Sequence, residues 1–159
     1  MKEYEIAVIG GGSAGLVAAA AAHRSGARTA LIERDQIGGE CLHTGCIPSK
    51  TFLYTANLYH NAKNFEQYGL PSYHTGIPDM GKVMDHVRSV VDAIYQHENK
   101  ETYQKLGIDV YLGENRFVSK NILSVNGNEI FSKYFIICTG SSALVPPVKG
   151  LQDISLPDE

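Results

Sequence analysis

The chain predicts an α/β fold, a parallel sheet clothed by helices and followed by a small antiparallel β-meander. Three observations lead there. An apolar run at residues 5–9 passes through Gly10-Gly11-Gly12-Ser13-Ala14-Gly15 into an alanine-rich stretch, and a second apolar run follows at 28–33. The middle of the chain carries apolar residues at three-four spacing. From Gly107 onward the runs shorten to strand length, with Asn126-Gly127 between two of them.

Residues 5–9 read as the first strand, because a short apolar run bounded by glycine suits the buried centre of a parallel sheet. Residues 13–25 form the helix that follows; its alanines keep it slim enough to lie close to the sheet, and Gly26 supplies a left-handed stop. The second strand, 28–33, ends in Glu33 and completes a βαβ unit with a right-handed crossover. A second helix is expected over 45–68 and a third over 79–106, divided by a loop in which Gly69, Pro71, Gly76 and Pro78 act as breakers. Met80, Val83, Met84, Val87, Val90, Val91 and Ile94 make an apolar seam on the third helix. Its expected mate is the helix over 45–68, with a contact between subunits as the alternative. Strands are expected at 108–112, 115–118, 122–125, 129–131 and 134–138. Asn126-Gly127 predicts a type I′ turn, which needs positive φ at both central positions. Residues 1–150 make one domain, and 151–159 a tail without periodicity.

The totals narrow the function. With 159 residues, 43% of them hydrophobic, the chain has the size and apolar content of a single globular unit. A net charge of -3, a pI near 6.1 and the lack of basic stretches interleaved with aromatics argue against nucleic-acid partners. The longest small-apolar run, 16–22, is far short of the ~20 residues that span a bilayer. Glu3 and Glu5 spoil a signal-peptide reading, so a cytoplasmic location without membrane contact is expected. Three cysteines do not make a structural disulfide framework. A close pair in a reducing compartment points to catalysis or metal, whereas Cys138, inside an apolar run, reads as a small buried core residue. The six histidines lack carboxylate partners at motif spacing and read as surface or loop residues.

Gly10, Gly12 and Gly15 stand in G-x-G-x-x-G spacing between a strand and a helix. The first permits the tight turn, the second lets a pyrophosphate approach the backbone, and the third lets the helix pack on the strand. Free N–H groups and the helix dipole then favour phosphate. Glu33 is placed to accept hydrogen bonds from ribose hydroxyls, and its charge disfavours a 2′-phosphate. Downstream, Cys41 and Cys46 flank Leu42-His43-Thr44-Gly45. An i, i+5 pair within one continuous helix would diverge, so Cys41 is expected before the first turn and Cys46 within it, with Gly45 easing the bend. A helix N-terminus favours thiolate, and Pro48 costs no hydrogen bond there. Lys50 lies four residues after Cys46 on the same face, where its ammonium can stabilise a thiolate or a reduced flavin. A zinc site from Cys41, His43 and Cys46 is an alternative without a convincing fourth ligand, so the metal set is read as none. A dinucleotide-binding module whose cysteines only sense redox state is another.

The motif Gly38-Gly39-Glu40-Cys41-Leu42-His43-Thr44-Gly45-Cys46-Ile47-Pro48-Ser49-Lys50, with Cys138-Thr139-Gly140-Ser141, Pro146-Pro147 and Gly150 in the expected order, resembles the FAD-dependent pyridine nucleotide-disulfide oxidoreductases, the group of lipoamide dehydrogenase, glutathione reductase and mercuric reductase. The resemblance covers nearly the whole chain and implies the N-terminal part of a Rossmann-like FAD-binding domain. By that resemblance Cys46 lies next to the flavin as the charge-transfer thiolate, Cys41 is the interchange thiol, and Lys50 sits near the flavin's reactive nitrogen. The implied FAD-binding set is Gly10, Gly12, Ser13, Ala14, Gly15, Glu33, Arg34, Gly39, Glu40, Cys41, Cys46 and Lys50, with Gly113, Glu114 and Asn115 near adenine and Thr139 and Gly140 adjoining the cofactor.

The implied reaction passes hydride from NAD(P) through FAD to the cysteine pair and on to a small-molecule or lipoyl disulfide, or the reverse. Ile47-Pro48-Ser49-Lys50 favours dihydrolipoamide dehydrogenase over glutathione reductase, with a mercuric-reductase-like enzyme as the alternative. A full member is a homodimer whose NAD(P)-binding and dimerisation domains have no counterpart here, so this stretch alone is not expected to turn over. Three positions depart from the family pattern. Glu40 stands where threonine is frequent, His43-Thr44 replaces Asn-Val, and Cys138 replaces alanine. An acid beside a pyrophosphate is costly unless it turns outward.

Overall fold

A computed structural model describes residues 1–72, 76–142 and 144–151. Apart from Leu151, the tail expected over 151–159 lies outside the described residues. The first strand, β1 (Lys2–Ile9), starts earlier than its apolar run because the polar residues Lys2 and Glu3 already pair with a neighbouring strand. It leads to α1 (Ser13–Arg24) and β2 (Thr29–Glu33), and Gly26 takes φ +90 after the helix as expected. Then come α2 (Gly39–His43), α3 (Cys46–Lys63) and a 3-10 turn at Phe65–Tyr68. The chain continues through α4 (Met80–Tyr95), α5 (Lys100–Lys105), β3 (Asp109–Leu112), β4 (Asn115–Ser119), β5 (Ile122–Val125) and β6 (Asn128–Ile137).

Among the described residues the six strands join one sheet in the order β3-β2-β1-β6-β5-β4. The pairs β2/β3, β1/β2 and β1/β6 are parallel, and β5/β6 and β4/β5 are antiparallel. The meander is therefore an extension of the parallel sheet, and β6 is the strand that belongs to both. Two separate strands were expected at 129–131 and 134–138, but the chain makes a single one. Ser132, the polar residue at the supposed break, is fully buried and satisfied: its N–H donates to Asn121 O (3.0 Å) and its hydroxyl to Tyr134 O (2.8 Å), while Asn121 Nδ2 donates to Ser132 O (2.8 Å). At the β5–β6 turn, Asn126 (φ 46) and Gly127 (φ 82) adopt the type I′ signature read from the sequence.

The helices differ from expectation in three places. The segment 79–106 is two helices, because Asn99 caps α5 by accepting from the Thr102 N–H (3.0 Å) and the polar run before it ends α4. The segment 45–68 ends as a helix at Lys63, where the Asn64 side chain donates to His60 O (2.8 Å), and finishes as the 3-10 turn. A short helix, α2, precedes it where none was expected. The apolar seam of α4 does face α3 within the chain: the two helices pack together and Val87 is buried.

Period-two alternation divides the core. Ala7, Ile9, Ala30 and Ile32 share one cluster with Leu123, Val125 and Ile130, whereas Val8 and Leu31 join Leu16, Ala19, Ile37, Ile108 and Val110 in another. The buried face of α1 consists of Gly15, Leu16, Ala19 and Ala22, so the small residues bring the helix close as the sequence implies. Among the described residues no helix is long and apolar enough to cross a membrane.

A polar knot ties β1 to β3 at the opposite end of the sheet from the strand C-termini. Tyr4 Oη donates to Asp109 Oδ2 (2.6 Å) and meets Tyr111 Oη (2.5 Å), and Lys2 Nζ stands 3.2 Å from the same carboxylate. Burial, with the Asp109 and Tyr111 hydrogen bonds, pushes the Tyr4 phenol above its ordinary range, and the Tyr4 hydrogen bond holds the Asp109 carboxyl below its own. A group with a depressed folded pKa stabilises above its unfolded value, about 3.9 for Asp, and loses that contribution as pH falls through the folded one. Tyr4→Phe is therefore expected to cost about 1 kcal/mol of unfolding free energy at neutral pH. The difference from the parent chain should shrink below the carboxylate range, as urea denaturation at several pH values will measure.

Candidate functional site

The glycine turn is built by close approach. Gly10 leaves β1 at φ +107 with its N–H donated to Ile32 O (2.7 Å), and a Cβ there would stand 2.2 Å from Cys138 O. A Cβ on Gly15 would stand 1.7 Å from Gly10 O, so α1 rests on the end of the strand it follows. Gly12 differs: its nearest neighbour to a Cβ is Gly39 Cα at 3.8 Å. It caps α1 without a side-chain hydrogen bond, and the first turn holds no acid. The helix N-terminus thus presents unneutralised N–H groups to whatever approaches the turn.

A groove of about 630 Å³ opens beside this turn at the C-terminal ends of β1, β2 and β6, where ligands of open parallel sheets bind. Of the residues expected to hold a dinucleotide, it brings together Gly10, Gly12, Glu33, Arg34, Gly39, Glu40, Thr139 and Gly140. Glu33 is fixed on its wall, with Oε2 accepting from the Gly11 N–H (2.6 Å) and Oε1 from the Asp35 N–H (2.8 Å). Each carboxylate oxygen keeps a lone pair for a further donor. Glu40 is exposed on the rim.

Other members of the expected set lie elsewhere. Ser13 and Cys41 line an adjoining cleft of about 410 Å³, walled by Leu42, Ile47 and Tyr103. Ala14 is exposed on the first turn of α1, and Cys46 and Lys50 are exposed on α3. Gly113 touches the site through its backbone, donating to Glu33 O (2.8 Å), but Glu114 and Asn115 line a separate depression beside Asn126 and Gly127. Asp35, Gln36 and Ser141 line the main groove and were missed, although their place directly after a strand end was a signal. Cys138 is a correction: it is half-buried, packs on the core from one side and faces the groove from the other. His43 is another. It stands in the helix α2 and not in a loop, half-buried where it lines the groove, with its Nε2 2.9 Å from Ile37 O and its ring edge-on against Tyr95 at 5.5 Å, fastening α2 to α4.

The dithiol is docked on the turn. The Gly38 N–H donates to Gly11 O (2.8 Å), and Gly39, at φ +58, lies so close that a Cβ would stand 2.7 Å from Gly12 Cα. Two residues later Cys41 sits in α2, while Cys46 opens α3 after Gly45. The division expected from the i, i+5 spacing therefore holds, with a helix of its own for Cys41. Both cysteines are free thiols. Hydrogen bonding to the Cys46 side chain, then to Ser13 and the Cys46 N–H, with the charge of Lys50, draws the Cys41 thiol below its ordinary value. Hydrogen bonding to Cys41, with desolvation and the neighbouring charge, pushes Cys46 up, against the pull of Lys50. His43 is turned to Ile37, and among the described residues no three His, Cys, Asp or Glu side chains are grouped to hold a metal.

Residues 4–157 match the family model described as pyridine nucleotide-disulphide oxidoreductase. A dihydrolipoyl dehydrogenase of Acholeplasma laidlawii is 40% identical over 96% of this chain and 45% of its own length. A mercuric reductase of Staphylococcus aureus is 34% identical over 96% of this chain and 28% of its own. Among solved structures, a cysteine-to-serine variant of the HOCl-induced flavoprotein disulfide reductase RclA of Escherichia coli, as its Cu(II) complex, superimposes with a TM-score of 0.73 at 27% identity, covering 96% of this chain and 32% of that one. The chain spans less than half the length of these relatives.

Two outcomes follow from the site's geometry. Gly39→Ala forces both a strained φ and a collision with Gly12, and should lower unfolding free energy by on the order of 1–3 kcal/mol in urea. In the reduced chain at neutral pH, iodoacetamide should label Cys41 ahead of Cys46 although Cys46 is the more exposed; peptide mass spectrometry reads the order, and the reverse order contradicts the opposite pulls on the two thiols.

Proposed function

Because the chain belongs to the pyridine nucleotide-disulphide oxidoreductase family, we propose that it provides the dinucleotide cradle and redox dithiol of an FAD-dependent enzyme of the dihydrolipoyl dehydrogenase type. That enzyme moves electrons between a nicotinamide, FAD, the Cys41–Cys46 pair and a substrate disulfide. The observation that carries the reading is a pair of free thiols, in successive helices, whose segment is docked directly on the glycine turn. The identity to a dihydrolipoyl dehydrogenase and the Ile47-Pro48-Ser49-Lys50 sequence support the finer assignment.

The residues present fit FAD. Gly12 leaves room beside an uncapped helix N-terminus, so the N–H groups of Gly12, Ser13 and Ala14 would meet the pyrophosphate. Glu33 would accept from the adenosine ribose, with Arg34, Asp35 and Glu40 lining the same groove. Lys50, Thr139 and Gly140 would hold the remainder, with Gly113, Glu114 and Asn115 toward the adenine. When bound, FAD supplies a two-electron carrier between nicotinamide and dithiol.

The chain's own residues account for the sulfur steps. Cys41, the thiol that ionises first, attacks the substrate disulfide and forms a mixed disulfide, releasing one substrate thiolate that takes a proton. Once its sulfur is bonded, Cys41 no longer pushes the Cys46 thiol up, and Lys50 and the N-terminus of α3 are left to favour the Cys46 thiolate, its proton passing to the released substrate thiolate. Cys46 then attacks the Cys41 sulfur, closing the intramolecular disulfide and freeing the second substrate thiol. The substrate gains two electrons and the dithiol loses two; the oxidation of a dihydrolipoyl group runs the same steps backward. Since the chain spans less than half of its relatives, nicotinamide binding, homodimer formation and turnover are proposed for the whole enzyme, and this stretch alone is expected to be inactive.

Mild oxidation of the purified chain followed by peptide mapping should recover a Cys41–Cys46 disulfide, and added FAD should co-elute with the protein and show protein-perturbed visible bands. A chain that never forms the intramolecular disulfide would falsify the reading. Full-length enzyme assayed with dihydrolipoamide and with mercuric ion separates the dehydrogenase from the metal-reducing type.

A further inference from the structure

Gly10, Gly12 and Gly15 have their tasks in the turn; Gly11, between the first two, has a different one. Its N–H donates to Glu33 Oε2 (2.6 Å), and its carbonyl accepts from the Gly38 N–H (2.8 Å). Both donors belong to buried residues, where an N–H without a partner is costly. A Cβ on Gly11 would stand 3.1 Å from Glu33 Cβ and 3.1 Å from its Oε2, so the carboxylate lies directly on the glycine. Glu33 itself is anchored: it pairs with Leu112 at the end of β2, and its carbonyl accepts from the Gly113 N–H (2.8 Å). Gly38 is the cap residue of α2, and Cys41 follows within the same helix.

We propose that Glu33 is a positioning residue for the dithiol: its carboxylate holds the Gly11 main chain, and Gly11 in turn holds the Gly38 end of the helix that carries Cys41. The inference rests on the dithiol reading given above, and it gives Glu33 a task apart from any ribose. Without an acceptor at Oε2 the buried Gly11 N–H is orphaned, and a glycine, having no side chain, turns readily about φ and ψ toward another partner. That turn swings the Gly11 carbonyl away from the Gly38 N–H. The helix α2 is only 5 residues long and too short to hold itself together, so loss of the Gly38 bond loosens the element and lowers the frequency with which Cys41 meets Cys46 at the start of α3. His43 still fastens the other end of α2, which makes the effect a loosening and not a release.

The test compares the parent chain with Glu33→Ala, Glu33→Met and Glu33→Gln. All three remove the charge, but Glu33→Gln keeps one oxygen for the Gly11 N–H and leaves the exposed Asp35 N–H to water. Two quantities are read. One is amide hydrogen exchange by NMR at Gly38, Leu123 and Ile130 in the reduced chain. The other is the ratio of Cys41–Cys46 disulfide to dithiol at equilibrium with a fixed mixture of oxidised and reduced dithiothreitol, the oxidised reagent taking two electrons and two protons from the thiols. In Glu33→Ala and Glu33→Met the Gly38 amide should exchange faster and the disulfide ratio should fall about threefold. Leu123 and Ile130, paired and buried in β5 and β6, should exchange as in the parent. Glu33→Gln should restore both parent values. If Glu33→Gln behaves like Glu33→Ala, the effect is one of charge and the proposal is overturned. A Gly38 amide or a disulfide ratio that keeps its parent value in Glu33→Ala and Glu33→Met overturns it too, as does exchange that rises equally at Leu123 and Ile130, since Glu33 then supports the whole sheet. A parent chain that forms no disulfide removes the redox reading and this inference with it; a disulfide that forms and is indifferent to all three variants removes the Glu33 assignment alone.

Discussion

The approach of Gly39 to Gly12 is the constraint on which the site depends. At a separation where one methyl group would collide, two backbone segments from different parts of the chain behave as one body, and the Gly38 N–H to Gly11 O bond fixes their register. The glycine turn and the cysteine helix therefore cannot move independently. Side chains would have held the two apart; glycine on both sides lets main chain meet main chain. The same device recurs at Gly10 and Gly15, where helix, strand end and the segment after β6 converge.

That convergence gives the groove its chemistry. Its floor is the end of a helix with no acid in its first turn, one wall is a carboxylate held by two N–H groups, and the opposite wall is the segment leaving β6. Cys41 stands in the adjoining cleft, and Cys46 is exposed at the start of α3 with an exposed lysine on the next helical turn. The opposite pulls on Cys41 and Cys46 follow from that crowding: the charge of one sulfur disfavours charge on the other, so the first thiol is drawn down and the second pushed up.

Much of this was legible in the residues because each signal has a local cause. The β1–α1–β2 unit was readable from apolar period and glycine spacing, and the Asn126-Gly127 turn from the φ values that only such pairs adopt readily. What escaped reading depends on distant partners. Ser132 looked like a break because its satisfaction comes from Asn121 across a turn. The helix α2 is too short to show a period and exists because it docks on Gly11 and Gly12. His43 looked solitary because Ile37 O and Tyr95, its partners, are not carboxylates and obey no motif. In the site, the residues that converge on the groove come from strand ends, which the pattern located. Glu114 and Asn115 diverge because the β3–β4 connection turns at Gly113, where the Asn126 side chain occupies the space a Cβ would need.

The length of β6 has one more effect. Its ladder with β5 ends at Phe131, opposite Ile122, and Asn121 holds Ser132 and Lys133; among the described residues the strand beyond Lys133 is paired with β1 alone. Cys138, Thr139 and Gly140 emerge from this one-sided half, whereas the facing wall leaves β2, which is laced on both flanks by β1 and β3. The groove consequently has an unyielding jaw and a compliant one. Amide hydrogens at the end of β6 should exchange through smaller openings than those of β2, so a ligand seated between the jaws would be clasped by motion of the Cys138 side.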